Sequence, residues 1–155
     1  MSTPENTITD RTVLVTGANR GIGRALVDEA LRRGAGAVVN VLSVAALASL
    51  SVTPAYSISK AAAFSLTQSL RALLASRGVR VQAVLAGPVD TEMSRALDVP
   101  KAAPASVAQA IFDGVAGGAE EIFPDPLSAS LASSWSAGAV KALERANATL
   151  LGASR

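Results

Sequence analysis

Short apolar runs alternate along the chain with segments whose apolar residues recur at helical spacing. Four β-branched or apolar runs predict strands at residues 12–16, 37–42, 79–85 and 121–123. The intervening patterns predict helices at residues 21–33, within 51–76, at 104–115 and at 131–151. Because strands and helices alternate, we expect a parallel sheet built from right-handed crossovers.

These elements predict one α/β domain covering residues 1–155, with about four mainly parallel strands and helices on both faces. Residues 51–76 give a long helical pattern. Thr53 can act as its N-cap, and Pro54 can occupy the first helical position. The apolar residues predicted to share one face of this helix are Ile58, Ala62, Leu66, Leu70 and Leu73.

Composition narrows the chemistry. Fourteen Lys and Arg residues against twelve Asp and Glu residues leave a net charge of +2 without a basic run, so we expect neither a nucleic-acid partner nor a membrane anchor. The chain has no Cys and no His, so thiolate or imidazole metal sites and His-based triads are excluded. The polar N-terminus does not resemble a secretory signal, and we expect a cytoplasmic protein without a metal site.

The first motif with chemical meaning is TGANRGIG, residues 16–23, where a predicted strand turns into a helix. Glycines there let the backbone approach a phosphate, and the helix N-terminus offers unpaired N–H groups. We therefore expect a nucleotide-phosphate cradle, although an ordinary glycine-rich turn has the same pattern. Arg20 could bind an extra phosphate or could be a solvated surface charge. The candidate cradle residues are Gly17, Asn19, Arg20, Gly21, Ile22 and Gly23.

The second motif is YSISK, residues 56–60. Tyr56 and Lys60 are four residues apart and so lie on the same face of a helix. The Lys60 ammonium would favour the phenolate and lower the pKa of Tyr56, which would suit proton transfer. For an isolated Tyr-x-x-x-Lys pattern, a surface Tyr beside a solvated Lys is the simpler interpretation.

Taken together, the motifs resemble the short-chain dehydrogenase/reductase family. TGANRGIG is similar to that family's TGxxxGxG turn, YSISK to its YxxxK motif and GPVDT, residues 87–91, to its PGxxxT segment. The resemblance implies a Rossmann-like three-layer fold, with Tyr56 as general acid/base and Lys60 holding the cofactor ribose. Ser43, thirteen residues before Tyr56, would orient the substrate oxygen. Thr91 would contact the carboxamide end of the cofactor or would cap a helix, and Arg20 would favour NADP over NAD.

The resemblance omits the middle of the family's domain. The second strand, the NNAG segment and the helix carrying a catalytic asparagine have no counterpart, and Asn40 does not take that asparagine's place. Strands 12–16 and 37–42 must then be neighbours, or another chain must fill the gap. We expect a homo-oligomer, because the missing helix would leave part of helix 51–76 without intrachain neighbours unless residues 131–151 cover it. The residues concerned are Ala61, Ala62, Phe64 and Ser65.

The leading hypothesis is a truncated oxidoreductase that moves hydride between NADP(H) and a small carbonyl or alcohol substrate. The missing segment leaves open whether the dinucleotide still binds. One alternative is a cofactor-independent lyase, isomerase or cyclase that uses Ser43, Tyr56 and Lys60 for acid–base chemistry. The other is a non-catalytic remnant that binds a partner.

Overall fold

The fold is a four-stranded parallel sheet with helices on both faces. It is seen in a computed structural model that describes residues 12–15 and 36–151. The strands lie in the order β1 (Thr12–Val15), β2 (Ala37–Ser43), β3 (Arg80–Ala86) and β4 (Glu121–Ile122). The predicted α/β fold with about four parallel strands is therefore confirmed. The helix predicted at residues 21–33 lies outside the described residues.

The strand register brings β1 directly beside β2. Thr12 pairs with Ala37, and the parallel pairing continues to Val15 and Asn40. The two strands are thus neighbours within one chain, which is the first of the two arrangements that the shortened sequence left open. Strands β2 and β3 pair over their whole length, so they end together at Ser43 and Ala86.

The α-helices of the described part begin and end close to the predicted bounds wherever the sequence pattern is strong. Helix α1 is Pro54–Leu74, and α2 is Pro104–Ala116. Pro54 opens α1, with Thr53 at the N-cap position as predicted. The shorter helices are α3 (Pro126–Ala129), α4 (Ala132–Ser136) and α5 (Ala139–Thr149), and 3-10 helices lie at Val44–Ala46, Ala75–Arg77 and Glu92–Ser94.

The core lies in two layers, one on each face of the sheet. On one face, Leu42, Ala83 and Leu85 pack with Phe64 of α1. On the other, β-strand residues pack with Val115 of α2. Since the chain moves across the sheet in one direction from β2 to β3 to β4, helices on opposite faces make crossovers of opposite hand. The expectation of right-handed crossovers throughout is therefore wrong.

Helix α1 buries a different face from the one that its apolar spacing predicts. Ile58 is 69% exposed and Leu73 is 54% exposed. The buried side chains are instead Ser57, Phe64, Thr67 and Leu74. The small Thr67 fits against the sheet because its hydroxyl accepts a hydrogen bond of 2.9 Å from the buried Asn40 amide. Polar pairing between α1 and β2 has replaced part of the expected apolar contact.

The C-terminal residues cover part of α1, and Phe64 is therefore buried rather than lacking neighbours as predicted. The ring of Trp135, on α4, lies 5.6 Å from the Phe64 ring, centre to centre. The single helix predicted at 131–151 is interrupted at Gly138, whose backbone is extended. A Cβ at Gly138 would lie 2.7 Å from the carbonyl oxygen of Ser134, so the glycine permits this close turn.

A buried cluster of charges attaches α5 to the sheet. The Lys141 ammonium, with its side chain 2% exposed, lies 2.8–3.0 Å from carboxylate oxygens of Glu120, Glu121 and Glu144. Arg71 of α1 pairs with Glu121 at 2.8 Å and also contacts Glu144. The cluster therefore links helices α1 and α5, which lie on one face of the sheet, to the edge strand β4.

Candidate functional site

Ser43 lies at the carboxyl end of β2, where parallel sheets commonly place their ligands. It is half-buried and pairs in register with Ala86, the last residue of β3. Its Oγ accepts a hydrogen bond of 3.2 Å from the backbone N–H of Ala45, so Ser43 caps the 3-10 helix that follows. The pairing of Ser43 with β3 and the hydrogen bond from Ala45 together hold the Ser43 hydroxyl in a defined position.

The buried hydroxyl of Ser57 fixes the beginning of α1. Its Oγ accepts a hydrogen bond of 2.9 Å from the N–H of Leu50 and donates one of 3.3 Å to the carbonyl of Thr53. These bonds tie the segment after Ser43 to the first turn of the helix, next to Tyr56. The sequence prediction missed this role of Ser57. The available signal was a small hydroxyl residue four positions after a predicted N-cap.

Tyr56 and Lys60 are brought together as the helical spacing predicts. The Lys60 Nζ atom lies 5.6 Å from the centre of the Tyr56 ring, within the range of a cation–π contact. Both side chains are half-buried. In the described part of the chain, Lys60 makes no ion pair with a carboxylate, which leaves its ammonium able to bind a hydroxyl group of a ligand.

The segment between β2 and α1 positions both Ser43 and Tyr56. Among the described contacts, the two side chains make no direct hydrogen bond to each other. Val44–Ala46 packs between the end of β2 and the neighbouring helix α1, because Val44 and Ala46 border the core cluster that includes Phe64. The serine and the Tyr–Lys pair therefore belong to adjoining parts of one sheet edge. Such an edge can hold a small oxygen-bearing substrate beside an acid–base group.

Thr91 occupies the N-cap position of the 3-10 helix Glu92–Ser94. Its backbone N–H donates to Ser94 Oγ at 3.2 Å, while Ser94 N–H donates to the Thr91 carbonyl at 3.1 Å. Glu92 follows in the first turn. This geometry supports the helix-cap interpretation of Thr91, and its exposed side chain is accessible to a ligand.

The predicted cradle lies outside the described residues. This applies to Gly17, Asn19, Arg20, Gly21, Ile22 and Gly23. A cleft of about 550 Å³ lies elsewhere, lined by Phe123, Trp135, Lys141 and neighbouring residues. The described site residues Ser43, Tyr56, Lys60 and Thr91 do not line this cleft. The carboxyl end of β2 at Ser43 is therefore the better candidate site. No helix within residues 36–151 is long and apolar enough to cross a membrane.

Comparison with known proteins finds similarity to dehydrogenases. The family model for short chain dehydrogenase matches residues 29–101. The chain is 39% identical over 79 residues to 2-(R)-hydroxypropyl-CoM dehydrogenase of Xanthobacter autotrophicus, covering 50% of this chain and 32% of that protein. It is 43% identical over 79 residues to galactitol 2-dehydrogenase of Cereibacter sphaeroides, covering 50% and 30%. The chain thus spans about a third of the length of these curated relatives.

Solved structures give the same picture of the fold. A short chain dehydrogenase from Burkholderia cenocepacia in complex with NADP is 25% identical, with a TM-score of 0.63; the match covers 84% of this chain and 95% of that one. A short-chain dehydrogenase from Sphingobium yanoikuyae in complex with NADPH is 28% identical, also with a TM-score of 0.63. That match covers 85% of this chain and 51% of the other.

Proposed function

We propose that the chain, which is similar to short-chain dehydrogenases over residues 29–101, is an oxidoreductase acting on a small carbonyl or alcohol substrate with NADP(H). The observation that carries the proposal is the half-buried Tyr56–Lys60 pair beside the strand end that bears Ser43. Two similar solved structures hold NADP or NADPH, which supports this choice of cofactor.

The described residues fit the nicotinamide end of such a cofactor. Lys60 has an ammonium without a carboxylate partner among them, and ribose hydroxyls are suitable acceptors for it. Thr91 presents an exposed side chain after the neighbouring strand. The phosphates would bind the turn at residues 17–23, where Arg20 would meet the extra phosphate of NADP. When bound, the cofactor supplies or accepts the hydride.

The chain's own residues would perform the proton transfer. In carbonyl reduction, the Tyr56 hydroxyl donates a proton to the substrate oxygen as the carbonyl carbon gains hydride, so that the alcohol leaves neutral. Ser43 donates a hydrogen bond to the same oxygen and orients it. Lys60 places a positive charge beside the phenol and stabilises the phenolate that remains. Alcohol oxidation reverses each step.

Calorimetric titration with NADPH and NADH tests this function. We expect NADPH to bind the more tightly of the two, and Arg20→Ala to remove most of the preference. Loss of one charge-assisted hydrogen bond should weaken NADPH binding by roughly 10–100-fold. Arg77→Ala, at an exposed position after α1, serves as the matched control. No saturable heat with either dinucleotide at millimolar concentration would contradict the oxidoreductase and favour the cofactor-independent enzyme or the binding protein.

A further inference from the structure

Asp125 is a buried carboxylate at the same edge of the sheet as Ser43. It is 5% exposed and lies in the short connection between β4 and α3. Its Oδ2 atom accepts hydrogen bonds of 2.7 Å from the backbone N–H of Gly87 and of 2.7 Å from the Ser128 hydroxyl. Its Oδ1 atom accepts a third, of 3.0 Å, from the backbone N–H of Ser128. Three donors thus satisfy the carboxylate.

Helix capping explains only part of this arrangement. Asp125 is the N-cap of α3 and forms a capping box with Ser128, whose Oγ accepts a bond of 3.2 Å from the Asp125 N–H. A serine hydroxyl would serve as an N-cap nearly as well, because one acceptor oxygen is enough. Burial of a charged group is unfavourable unless it is well hydrogen-bonded. The second oxygen, directed to Gly87, is therefore the feature that needs an explanation.

Gly87 and Asp125 fit each other closely. A Cβ atom at Gly87 would lie 2.6 Å from Asp125 Oδ1, so only glycine allows the main chain to approach the carboxylate this far. Gly87 directly follows Ala86, the register partner of Ser43. The carboxylate therefore holds the chain at the first residue after β3, immediately beside the predicted substrate-orienting serine.

The segment beyond Gly87 has a second attachment. The Ala102 N–H donates to the Pro88 carbonyl at 2.9 Å, and the Asp90 N–H donates to the Ala102 carbonyl at 2.9 Å. The segment is therefore attached at two points, at Gly87 and at its pairing with Ala102. It begins directly after Ala86, the register partner of Ser43.

We propose that Asp125 is a positioning residue, whose carboxylate fixes the main chain at Gly87 and thereby sets the conformation of residues 87–91 beside Ser43. Its consequence for ligands rests on the proposed function, since Thr91 would then be held where it borders the nicotinamide end of the cofactor. Asp125 itself acts through the loop and does not contact substrate.

Amide hydrogen exchange and NMR chemical shifts test the proposal without any ligand. Asp125→Ser keeps an N-cap oxygen for Ser128 but is too short to reach Gly87. We expect exchange of the Gly87 amide to rise roughly tenfold or more, as loss of a hydrogen bond to a charged group predicts. The Thr91 amide resonance should shift as well. Ser128→Ala is the matched control, because it removes the capping-box hydroxyl and leaves the Gly87 bond in place.

A second pair of variants covers the case in which Asp125→Ser does not fold. Asp125→Asn keeps the volume and a good N-cap, yet its single acceptor oxygen cannot take both the Oδ2 position, which accepts from Gly87, and the Oδ1 position, which accepts from the Ser128 N–H. Gly87→Ala introduces the 2.6 Å contact directly. Where Asp125→Ser does fold, the loss of thermal stability from Gly87→Ala should be smaller in its background than in the unmodified chain, because the clashing oxygen is gone, and a double-mutant cycle measures this non-additivity.

The outcomes separate this proposal from the proposed function. Unchanged exchange at Gly87 in both Asp125→Ser and Asp125→Asn overturns the positioning role, whatever the activity. Faster exchange at Gly87 with an unchanged Thr91 resonance also overturns the positioning role, because the Asp125 carboxylate would then fix Gly87 without affecting the rest of residues 87–91. If exchange rises and Thr91 shifts, the positioning role stands. Absence of NADPH binding by the unmodified chain would remove the oxidoreductase function only.

Discussion

The ammonium of Lys60 lies 5.6 Å from the centre of the Tyr56 ring, one turn further along α1. The helix alone produces this approach, because residues at positions i and i+4 share a face. The hydrogen bonds of Ser57 then fix the turn that bears Tyr56 against the segment following Ser43. Local helix geometry thus builds the acid–base pair, and one buried hydroxyl attaches it to the sheet edge.

If the proposed function holds, Tyr56→Phe should abolish most of the turnover while leaving the fold unchanged. The substitution removes the phenolic oxygen and keeps the ring against Lys60, so packing is preserved. General acid–base groups contribute about 10²–10⁴-fold to rate, and a loss in that range is expected in carbonyl reduction with NADPH. The measurements are kcat and the melting temperature of each variant.

Ser59→Ala is the control for Tyr56→Phe. Ser59 is exposed on the same helical turn, and its hydroxyl donates to the Tyr56 carbonyl rather than to the ring. We expect its turnover to match that of the unmodified chain. If Tyr56→Phe retained full turnover with any substrate that the protein converts, the assignment of the acid–base group would be wrong.

The sequence predicts those helices and strands that are determined by residues close to one another along the chain. The four strands, α1 and α2 follow from local apolar patterns and from prolines at helix starts, and their bounds are confirmed within one or two residues. The face of α1 that is buried depends on Asn40, Trp135 and the charges of α5. These residues are distant in sequence, so the periodicity of α1 alone pointed to the wrong face.

In the candidate site, too, the features set by neighbouring residues could be predicted and those set by distant residues could not. The Tyr56–Lys60 pair and the position of Ser43 at a strand end follow from short-range spacing. Asp125 is followed by Pro126, which is typical of a helix start, and its N-cap role could have been predicted. Its bond to Gly87 joins residues 38 positions apart, and no local pattern reveals it.

The exposed apolar face of α1 should mediate self-association. Ile58 and Leu73 are more than half exposed on this helix, and uncovered apolar helix faces tend to become interfaces. We expect a homodimer or larger oligomer at micromolar concentration. The double variant Ile58→Glu/Leu73→Glu should shift it to monomer, as measured by light scattering.

Phe112→Glu provides a control for this prediction. Phe112 is 68% exposed but belongs to α2, on the opposite face of the sheet. Its substitution should leave the oligomer intact. A monomeric unmodified chain would contradict the prediction and would mean that α4 and α5 already cover enough of α1.

Lys141→Met should destabilise the fold strongly. Lys141 is buried among Glu120, Glu121 and Glu144, and removing its charge leaves three carboxylates with only the nearby Arg71 and Arg145 to balance them among the described residues. Breaking a buried ion pair from one side costs about 3–5 kcal/mol. Urea denaturation should show a loss of this size in the free energy of unfolding.

The control for Lys141→Met is Arg95→Met. Arg95 pairs with Glu92, and both side chains are 76% exposed. An exposed pair of this kind contributes about 0–1 kcal/mol, so its loss should hardly change the unfolding free energy. Equal losses of unfolding free energy in the two variants would contradict the prediction, because they would show that the buried Lys141 cluster stabilises the fold no more than an exposed ion pair does.

The Glu120 carboxylate should stabilise the fold only above mildly acidic pH. Burial raises the pKa of Glu120, but the hydrogen bond from Lys141 and nearby positive charges outweigh burial, so the pKa lies below the ordinary value of 4.5. A group whose pKa is lower in the folded state stabilises that state when charged. This contribution is complete well above pH 4.5 and is lost as the pH falls through the folded-state value.

Glu120→Gln therefore should lower the melting temperature at pH 7 and have a shrinking effect as the pH falls below 4.5. Because the Glu120 side chain is 48% exposed, solvent screening limits the loss to about 1 kcal/mol or less. For a chain of this size, that corresponds to at most about 2–4 °C. Glu92→Gln, at the exposed pair with Arg95, should show no comparable difference at either pH. A Glu120→Gln effect that stays constant or grows on acidification would contradict the lowered pKa, since a protonated Glu120 resembles the glutamine in charge.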